Sequence, residues 1–328
     1  MDRLGPLHVR PLLKRIRWGG TRLGTVLGKQ LEDHQDVAES WEIVDHAEDQ
    51  SIVTMGPSTG ATLSELVKNR GHELFGEHSF AQFPLLIKFL DANDRLSLQV
   101  HPNDEQSKAY DPTENGKTEA WVILDTTSES RLWLGLKEGV RREQLSEAIR
   151  HQSIEDVIHT IVPQPGDCFF VPAGTVHAIG EGILLAEVQQ SSDMTFRLHD
   201  WGRMGTDGKP RPIHIKQSLD CTDYQRGPLN AVTPKTLSTN GQLVEELVRC
   251  PYFGIERHTS SITSVIQPRG RFRIVMMIEG QGAYETENQI TQDLKKGDTI
   301  LIPASSPDVM LTSSDEAVWL EIDCPQPG

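Results

Sequence analysis

"GDCFFVPAGTVH", residues 166–177, is the stretch on which the fold turns. Gly166 and Gly174 supply the freedom that tight turns need. Between them, Cys168 to Val171 form a short apolar run of strand length. Pro172 fixes a bend, and His177 emerges on the next segment, directed inward. "GDTILIPASSPD", residues 297–308, repeats the scheme: Gly-Asp, apolar residues, and a proline six positions after the glycine. Ser305 and Asp308 stand there at the offsets of Gly174 and His177. The chain therefore reads as two copies of one unit, of which only the first keeps the histidine. The partner segment expected for the second copy, "FRIVMMIEGQGAYETE" (272–287), also offers no histidine.

Around these runs the pattern is one of short strands. "FPLLIKFLDANDRLSLQVHP" (83–102) predicts two β segments about the turn "DAND". "KTEAWVILD" (117–125) and "RLWLGL" (131–136) read as a further strand pair. Residues 60–79 read as a helix, with Leu63, Leu66 and Val67 at helical spacing and Gly71 as its stop. "RREQLSEAIRHQSIEDVIHTIV" (141–162) predicts a helix or helix pair. Residues 225–245, rich in Pro, Gly, Thr and Asn, read as a linker. The predicted class is mainly β: two jelly-roll barrels, with a few helices added to the first. The expected division is 1–240 for a metal-binding catalytic unit and 241–328 for a structural unit without metal.

Composition narrows the function. A chain of 328 residues with 37% hydrophobic content has room for a large packed core. A formal charge of −15 argues against nucleic acid as a partner, because phosphate backbones demand a basic surface. No apolar run reaches the roughly 18 residues that cross a bilayer, and the basic N-terminal stretch lacks the apolar core of a signal peptide. The four cysteines make no CxxC pair, so free thiols in a reducing, cytoplasmic setting are expected.

The chemistry lies in "LSLQVHP", residues 96–102. Gln99 and His101 are two apart, hence on one strand face. Lys117 and Glu119 share that spacing. With His177 from a third strand, these residues bring imidazole, carboxylate, amide and ammonium groups to one pocket. Two imidazoles, a carboxylate and an amide oxygen suit Zn²⁺ with a position left for water or substrate.

The form Gly-x5-Pro-x-Gly-x2-His resembles the second motif of the cupins, double-stranded β-helix barrels that hold a metal in the barrel mouth. "FPLLIKFLDANDRLSLQVHPND", "GKTEAWVIL", "PAGTVHAI" and "DMTFRLHDWGR" together resemble the type I mannose-6-phosphate isomerases in their short form. "WGG" at Trp18 to Gly20 and "RPIHIKQSLD" (211–220) are similar to that family too. The resemblance implies one Zn²⁺ per chain on Gln99, His101, Glu119 and His177. It implies Arg197 as a catalytic arginine, Lys117 as an active-site lysine and Glu187 as a proton-transfer carboxylate. It also places Ser97 and Lys88 near the phosphate of a small-molecule sugar phosphate, with no membrane or nucleic-acid partner. Phe196 and His199 depart from the family wording at positions often held by tyrosine, which bears on pocket shape.

By residue chemistry alone, other readings stay open. Lys88 in its apolar run also fits a lysine whose stem lies along apolar surface. Ser97 also fits an outward strand position, and Glu187 a structural partner of Arg197. A non-catalytic sugar-binding or regulatory cupin is the alternative to an isomerase. An iron-dependent dioxygenase is a third reading, but a lysine beside the carboxylate fits sugar-phosphate isomerisation better.

Overall fold

The computed structural model describes residues 3–204, 208–239, 241–286, 291–313 and 315–324. Its body is four antiparallel sheets in layers. A six-stranded sheet runs in the order Cys168–Val171, Glu119–Asp125, Ile183–Gln190, Leu85–Ala92, Val37–Ile43, Leu12–Gly20. A five-stranded sheet faces it, in the order Ile158–Ile161, Leu132–Leu136, His177–Ile179, Leu98–Val100, Phe196–His199. Trp121, Phe169 and Leu185 from the first meet Leu132, Leu134 and Ile179 from the second in one buried cluster.

The C-terminal half repeats this arrangement. An eight-stranded sheet faces a four-stranded one, with Val275, Met277 and Trp319 packed against Val309, Leu311 and Tyr284. The two large sheets then lie back to back. Phe89, Val122 and Ala186 on one share the largest apolar cluster with Ile274, Met276 and Ile322 on the other. This explains why "ILLAEVQQ" (183–190) is buried at all eight positions: both of its faces are covered. The fold is mainly β, as expected.

Helices close the remaining faces. Helix Leu63–Phe75 starts at a capping box, in which Thr62 Oγ1 accepts from Glu65 N at 3.1 Å and Glu65 Oε2 accepts from Thr62 N at 2.8 Å. Gly71 is not its stop. The helix bends at Arg70 (φ −135°) and ends at Gly76, whose φ of 71° suits glycine. A Cβ at Gly76 would sit 2.1 Å from Gly270 O, so close backbone approach also demands glycine there. The segment 141–162 forms helix Arg142–Arg150, a 3-10 turn Ile154–Asp156 and then a strand. Leu145 and Ile149 pack on the outer face of the five-stranded sheet.

Two further expectations differ from the structure. The segments 117–125 and 131–136 are both strands but do not pair; one lies in the six-stranded and the other in the five-stranded sheet, because the chain crosses the barrel between them. Within 225–245, Lys235–Ser238 pairs with Gln242–Arg249 as a hairpin on the sheet edge, so the irregular linker is shorter than predicted. The N-terminal strand reaches across to the second unit. Leu7–Arg10 pairs with Thr299–Ile302 and with Ile52–Val53, inside the eight-stranded sheet of the second unit. Its alternation explains this, since Leu7 and Val9 are buried while Arg10 is exposed, and it covers an edge that would otherwise stay unpaired.

Candidate active site

The loop that ends at His177 behaves as its sequence demands. Gly166 and Gly174 have φ of 90° and 86°, and Gly174 N donates to His101 O at 2.8 Å. This bond ties the histidine-bearing turn to the end of the "LSLQVHP" strand. Register then sets the site. Gln99 lies directly opposite His177 on one neighbouring strand and Arg197 on the other. Residues paired across antiparallel strands share a face, so all three look into the barrel.

His101 Nε2 lies 3.6 Å from Glu119 Oε2, and His177 Nε2 lies 3.4 Å from Glu119 Oε1. The three side chains are buried, and their ligand atoms fall within 4.8 Å of one another. Each imidazole is oriented from behind. His101 Nδ1 donates to Met194 O and His177 Nδ1 donates to Thr175 O, both at 2.9 Å. A carbonyl can only accept, so Nδ1 carries the proton and Nε2 presents its lone pair to the site. Gln99 Nε2 sits 3.3 Å from His177 Nε2, which brings the amide into the same group.

The electrostatics of the group suit a bound cation. Burial holds His101 well below the ordinary histidine range, helped by the charge of Lys117, and lowers His177 to about 3. Burial, with Glu187 nearby, pushes the Glu119 carboxyl up to about 8. His101 Nε2 and Glu119 Oε2 are buried without hydrogen-bond partners. A lone-pair nitrogen and a carboxylate oxygen left unpaired in the interior, beside a second imidazole whose Nε2 faces the Gln99 amide, are costly, and a divalent cation among them removes that cost. The residues present therefore fit a metal ion.

Positive charge surrounds the group. Lys117 Nζ is 3.8 Å from Glu119 Oε2. Lys88 Nζ lies 3.3 Å from Glu39 Oε2 and 3.4 Å from Glu187 Oε1, and 4.8 Å over the Trp41 ring. Burial alone would favour the neutral amine of Lys88; Glu39 and Glu187 outweigh it and hold the ammonium above its ordinary range. Lys88 thus reaches carboxylates, not a water-exposed rim. Glu187 Oε2 accepts from Trp121 Nε1 at 3.0 Å, while its Oε1 has no hydrogen-bond partner. Glu187 is paired with Lys88 rather than with Arg197.

Arg197 is held by its own set. Its Nε donates to Ser97 Oγ at 3.2 Å and its Nη1 to Pro212 O at 2.8 Å. Ser97 points inward and supports the guanidinium. His214 closes back on the same residue, accepting from Arg197 N at Nδ1 and donating from its own N to Arg197 O. The structure thus gathers Gln99, His101, Glu119, His177 and Lys117 in one group, Arg197 with Ser97 in a second, and Lys88 with Glu187 in a third. Sequence reading missed Glu39 and Trp121 as neighbours of these groups. The signal was present: Glu39 and Trp41 in "AESWEI", like Glu119 and Trp121, stand two apart on one strand face.

Residues 7–152 match the family model "Phosphomannose isomerase type I, catalytic domain", and residues 244–320 match "Mannose-6-phosphate isomerase, cupin domain". The chain is 36% identical over 298 residues to the mannose-6-phosphate isomerase ManA of Bacillus subtilis, covering 91% of this chain and 93% of that protein. A mannose-6-phosphate isomerase of Streptococcus mutans is 35% identical over 91% of this chain and 92% of its own. The crystal structure of the mannose 6-phosphate isomerase from Bacillus subtilis superposes with a TM-score of 0.90 at 30% identity, covering 97% of this chain and 99% of that one. With its cupin architecture and its His-Glu-His group, the chain belongs to the type I phosphomannose isomerase family.

Proposed function

We propose that this protein interconverts D-mannose 6-phosphate and D-fructose 6-phosphate with one Zn²⁺ per chain, in a cytoplasmic setting where its four cysteines remain free thiols. The observation that carries the reading is the buried group His101, Glu119 and His177, with His101 Nε2 and Glu119 Oε2 unpaired and Lys117 beside it. These three residues would hold the ion, joined by the oxygen of Gln99 once its amide turns from the orientation in which Nε2 faces His177. Bound there, zinc would act as a Lewis acid, stabilising negative charge on the sugar oxygens O1 or O2.

The protein's own side chains handle the proton. After ring opening, a base takes the proton from C2, giving a cis-enediol, and the proton returns at C1. Glu187 is the candidate base: its Oε1 is buried, free of hydrogen bonds and faced by Lys88 Nζ at 3.4 Å. Lys117 and Arg197 place fixed positive charge where the enediolate develops, at no reorganisation cost during reaction. The phosphate supplies binding energy away from the reacting carbons, which holds the open chain in reach of the base. Ser97, which fixes Arg197, belongs to this positioning.

Convergent charges of both signs favour catalysis over mere sugar binding. In this reading residues 1–240 carry the chemistry and 241–328 take no part in the proton transfer. A coupled assay for fructose 6-phosphate formed from mannose 6-phosphate, with and without a chelator, tests it. No product in the absence of chelator overturns the activity; full activity after verified metal loss overturns the role of zinc.

A further inference from the structure

The repeat between the two Gly-Asp runs holds strand by strand. In the first large sheet the order is Cys168–Val171, Glu119–Asp125, Ile183–Gln190, Leu85–Ala92, Val37–Ile43; in the second it is Thr299–Ile302, Arg273–Glu279, Ala317–Asp323, Gly254–Ser260, Gln242–Arg249. Register carries the equivalence to single residues. Val171 pairs with Glu119, and Ile302 with Arg273, so Arg273 stands where Glu119 stands. Trp121 pairs with Glu187, and Val275 with Glu321, so Glu321 replaces Glu187. Glu256, opposite Glu321, replaces Lys88.

The small sheets agree. The counterpart of "LSLQVHP" is "SVIQPRG" (264–270), not the segment 272–287 expected from the sequence. His177 faces Gln99, and Asp308, at the offset of His177, accepts from Gln267 Nε2 at 2.8 Å. Gln267 and Arg269 thus repeat the spacing of Gln99 and His101. Arg271 precedes Arg273 as Lys117 precedes Glu119. Three positions that in the first barrel carry His101, Lys117 and Glu119 carry arginine in the second.

These arginines line a cavity of about 500 Å³ at the second barrel mouth, within the size range of small-metabolite sites. Four guanidiniums (Arg249, Arg269, Arg271, Arg273) meet three carboxylates (Glu256, Glu321, Asp323) in its lining. Asp323 is shared by Arg249 at 2.6 Å, Arg273 at 2.7 Å and Arg271 at 3.5 Å. Arg269 has no carboxylate partner among the described residues; its Nη2 donates to Gln267 Oε1 at 2.8 Å. Its φ of 51° lies in the left-handed region, costly for a residue with a side chain. His258 lies in the same lining, its Nε2 3.5 Å from Glu256 Oε2 and 3.6 Å from Glu321 Oε2 and its ring stacked on Trp319 at 5.2 Å.

We propose that the second barrel mouth binds the phosphate group of a small phosphate monoester, gripped by Arg269 and Arg271. Guanidinium stands where His101 and Glu119, two of the four proposed metal ligands, stand in the first barrel, so the second mouth is disposed to oxyanions rather than cations. Arginine forks match phosphate oxygens in pairs. The cavity is larger than a bare phosphate, which leaves room for an organic part. The site does not depend on the isomerase reading.

The test uses the full chain with ¹⁵N-labelled tryptophan. Inorganic phosphate and glucose 6-phosphate are titrated separately, and the indole N–H of Trp319, assigned through Trp319→Phe, is followed. A saturable shift is expected with either probe. Tighter binding of glucose 6-phosphate identifies the monoester as the ligand; equal binding identifies recognition of the phosphate group alone. Arg269→Ala, whose side chain is exposed, and Arg271→Ala should each weaken binding about tenfold, with an unchanged Trp121 signal in the free variants reporting an intact fold. A Trp319 signal unmoved by about 10 mM of both probes, or wild-type affinity in the Arg269→Ala/Arg271→Ala double variant, overturns the proposal.

Discussion

Lys88 Nζ lies 3.4 Å from Glu187 Oε1, across neighbouring antiparallel strands, with both side chains buried. A buried ammonium that serves Glu39 and Glu187 together cannot be removed without leaving two uncompensated carboxylates. Lys88→Met should therefore destabilise the fold by about 3–5 kcal/mol and lower kcat. Thermal unfolding and steady-state kinetics check this. A stable variant in which only KM for the sugar phosphate rises would return Lys88 to a phosphate-binding role.

Glu187→Gln should keep the metal and the fold but lose turnover by about 10²–10⁴. Exchange of the C2 proton of mannose 6-phosphate with solvent is the direct readout. Unimpaired exchange in this variant means that another group is the base.

The metal ligands differ in what each contributes. His101→Ala and His177→Ala should lose zinc, Glu119→Gln should weaken it, and Gln99→Ala should weaken it least, because a neutral amide is the poorest of the four ligands. Elemental analysis of the wild type should return about one zinc per chain. Most of the fold should survive chelation, since the barrel holds its own apolar cluster of Trp121, Phe169, Leu185 and their neighbours.

Arg197→Ala should reduce kcat by about 10²–10³ and change KM less, if the guanidinium acts on charge that develops during reaction. Ser97→Ala, which removes one hydrogen bond from Arg197 Nε, should act in the same direction and more weakly. An effect of Arg197→Ala on KM alone would make Arg197 a binding residue.

Asp200 secures the segment behind Arg197. Its Oδ1 accepts from Arg203 Nη2 and its Oδ2 from Arg211 Nε, both at 2.7 Å, and Arg211 leads directly to Pro212, whose carbonyl holds Arg197. Burial raises the Asp200 carboxyl, but the hydrogen bonds of Arg211 and Arg203 outweigh it and leave it below its ordinary value. A depressed folded pKa contributes stability that is present above the unfolded value of about 3.9 and is lost as pH falls through the lower folded value. Asp200→Asn should cost about 1–3 kcal/mol at pH 7. Its melting temperature should converge on that of the wild type as pH falls below about 4. A difference that persists undiminished once pH has fallen through the depressed folded value would show that the ion pairs are not its source.

The sequence by itself determined the parts that depend on local geometry. Period-two alternation puts Gln99 with His101, and Lys117 with Glu119, on single strand faces, and the glycines at 166 and 174 with Pro172 aim His177. Those relations involve residues a few positions apart, so spacing alone encodes them. The capping box at Thr62 is of the same kind. Tertiary structure decided which faces meet. Lys88 in an apolar run reads equally well as a surface lysine until Val37–Ile43 pairs beside it and brings Glu39 to its ammonium. The strands at 119–125 and 132–136 look like a hairpin from their spacing, yet the turn between them carries the chain to the opposite sheet. Leu7–Arg10 fits any half-buried edge, and only the long-range register with Thr299–Ile302 places it in the second unit. The arginine mouth was hidden for the same reason: "SVIQPRG" has no histidine to mark it, and its likeness to "LSLQVHP" emerges only when both segments are paired with their neighbours. A strand's periodicity sets which side chains share a face, whereas its partner is chosen by contacts between residues far apart in the chain, on which local pattern is silent.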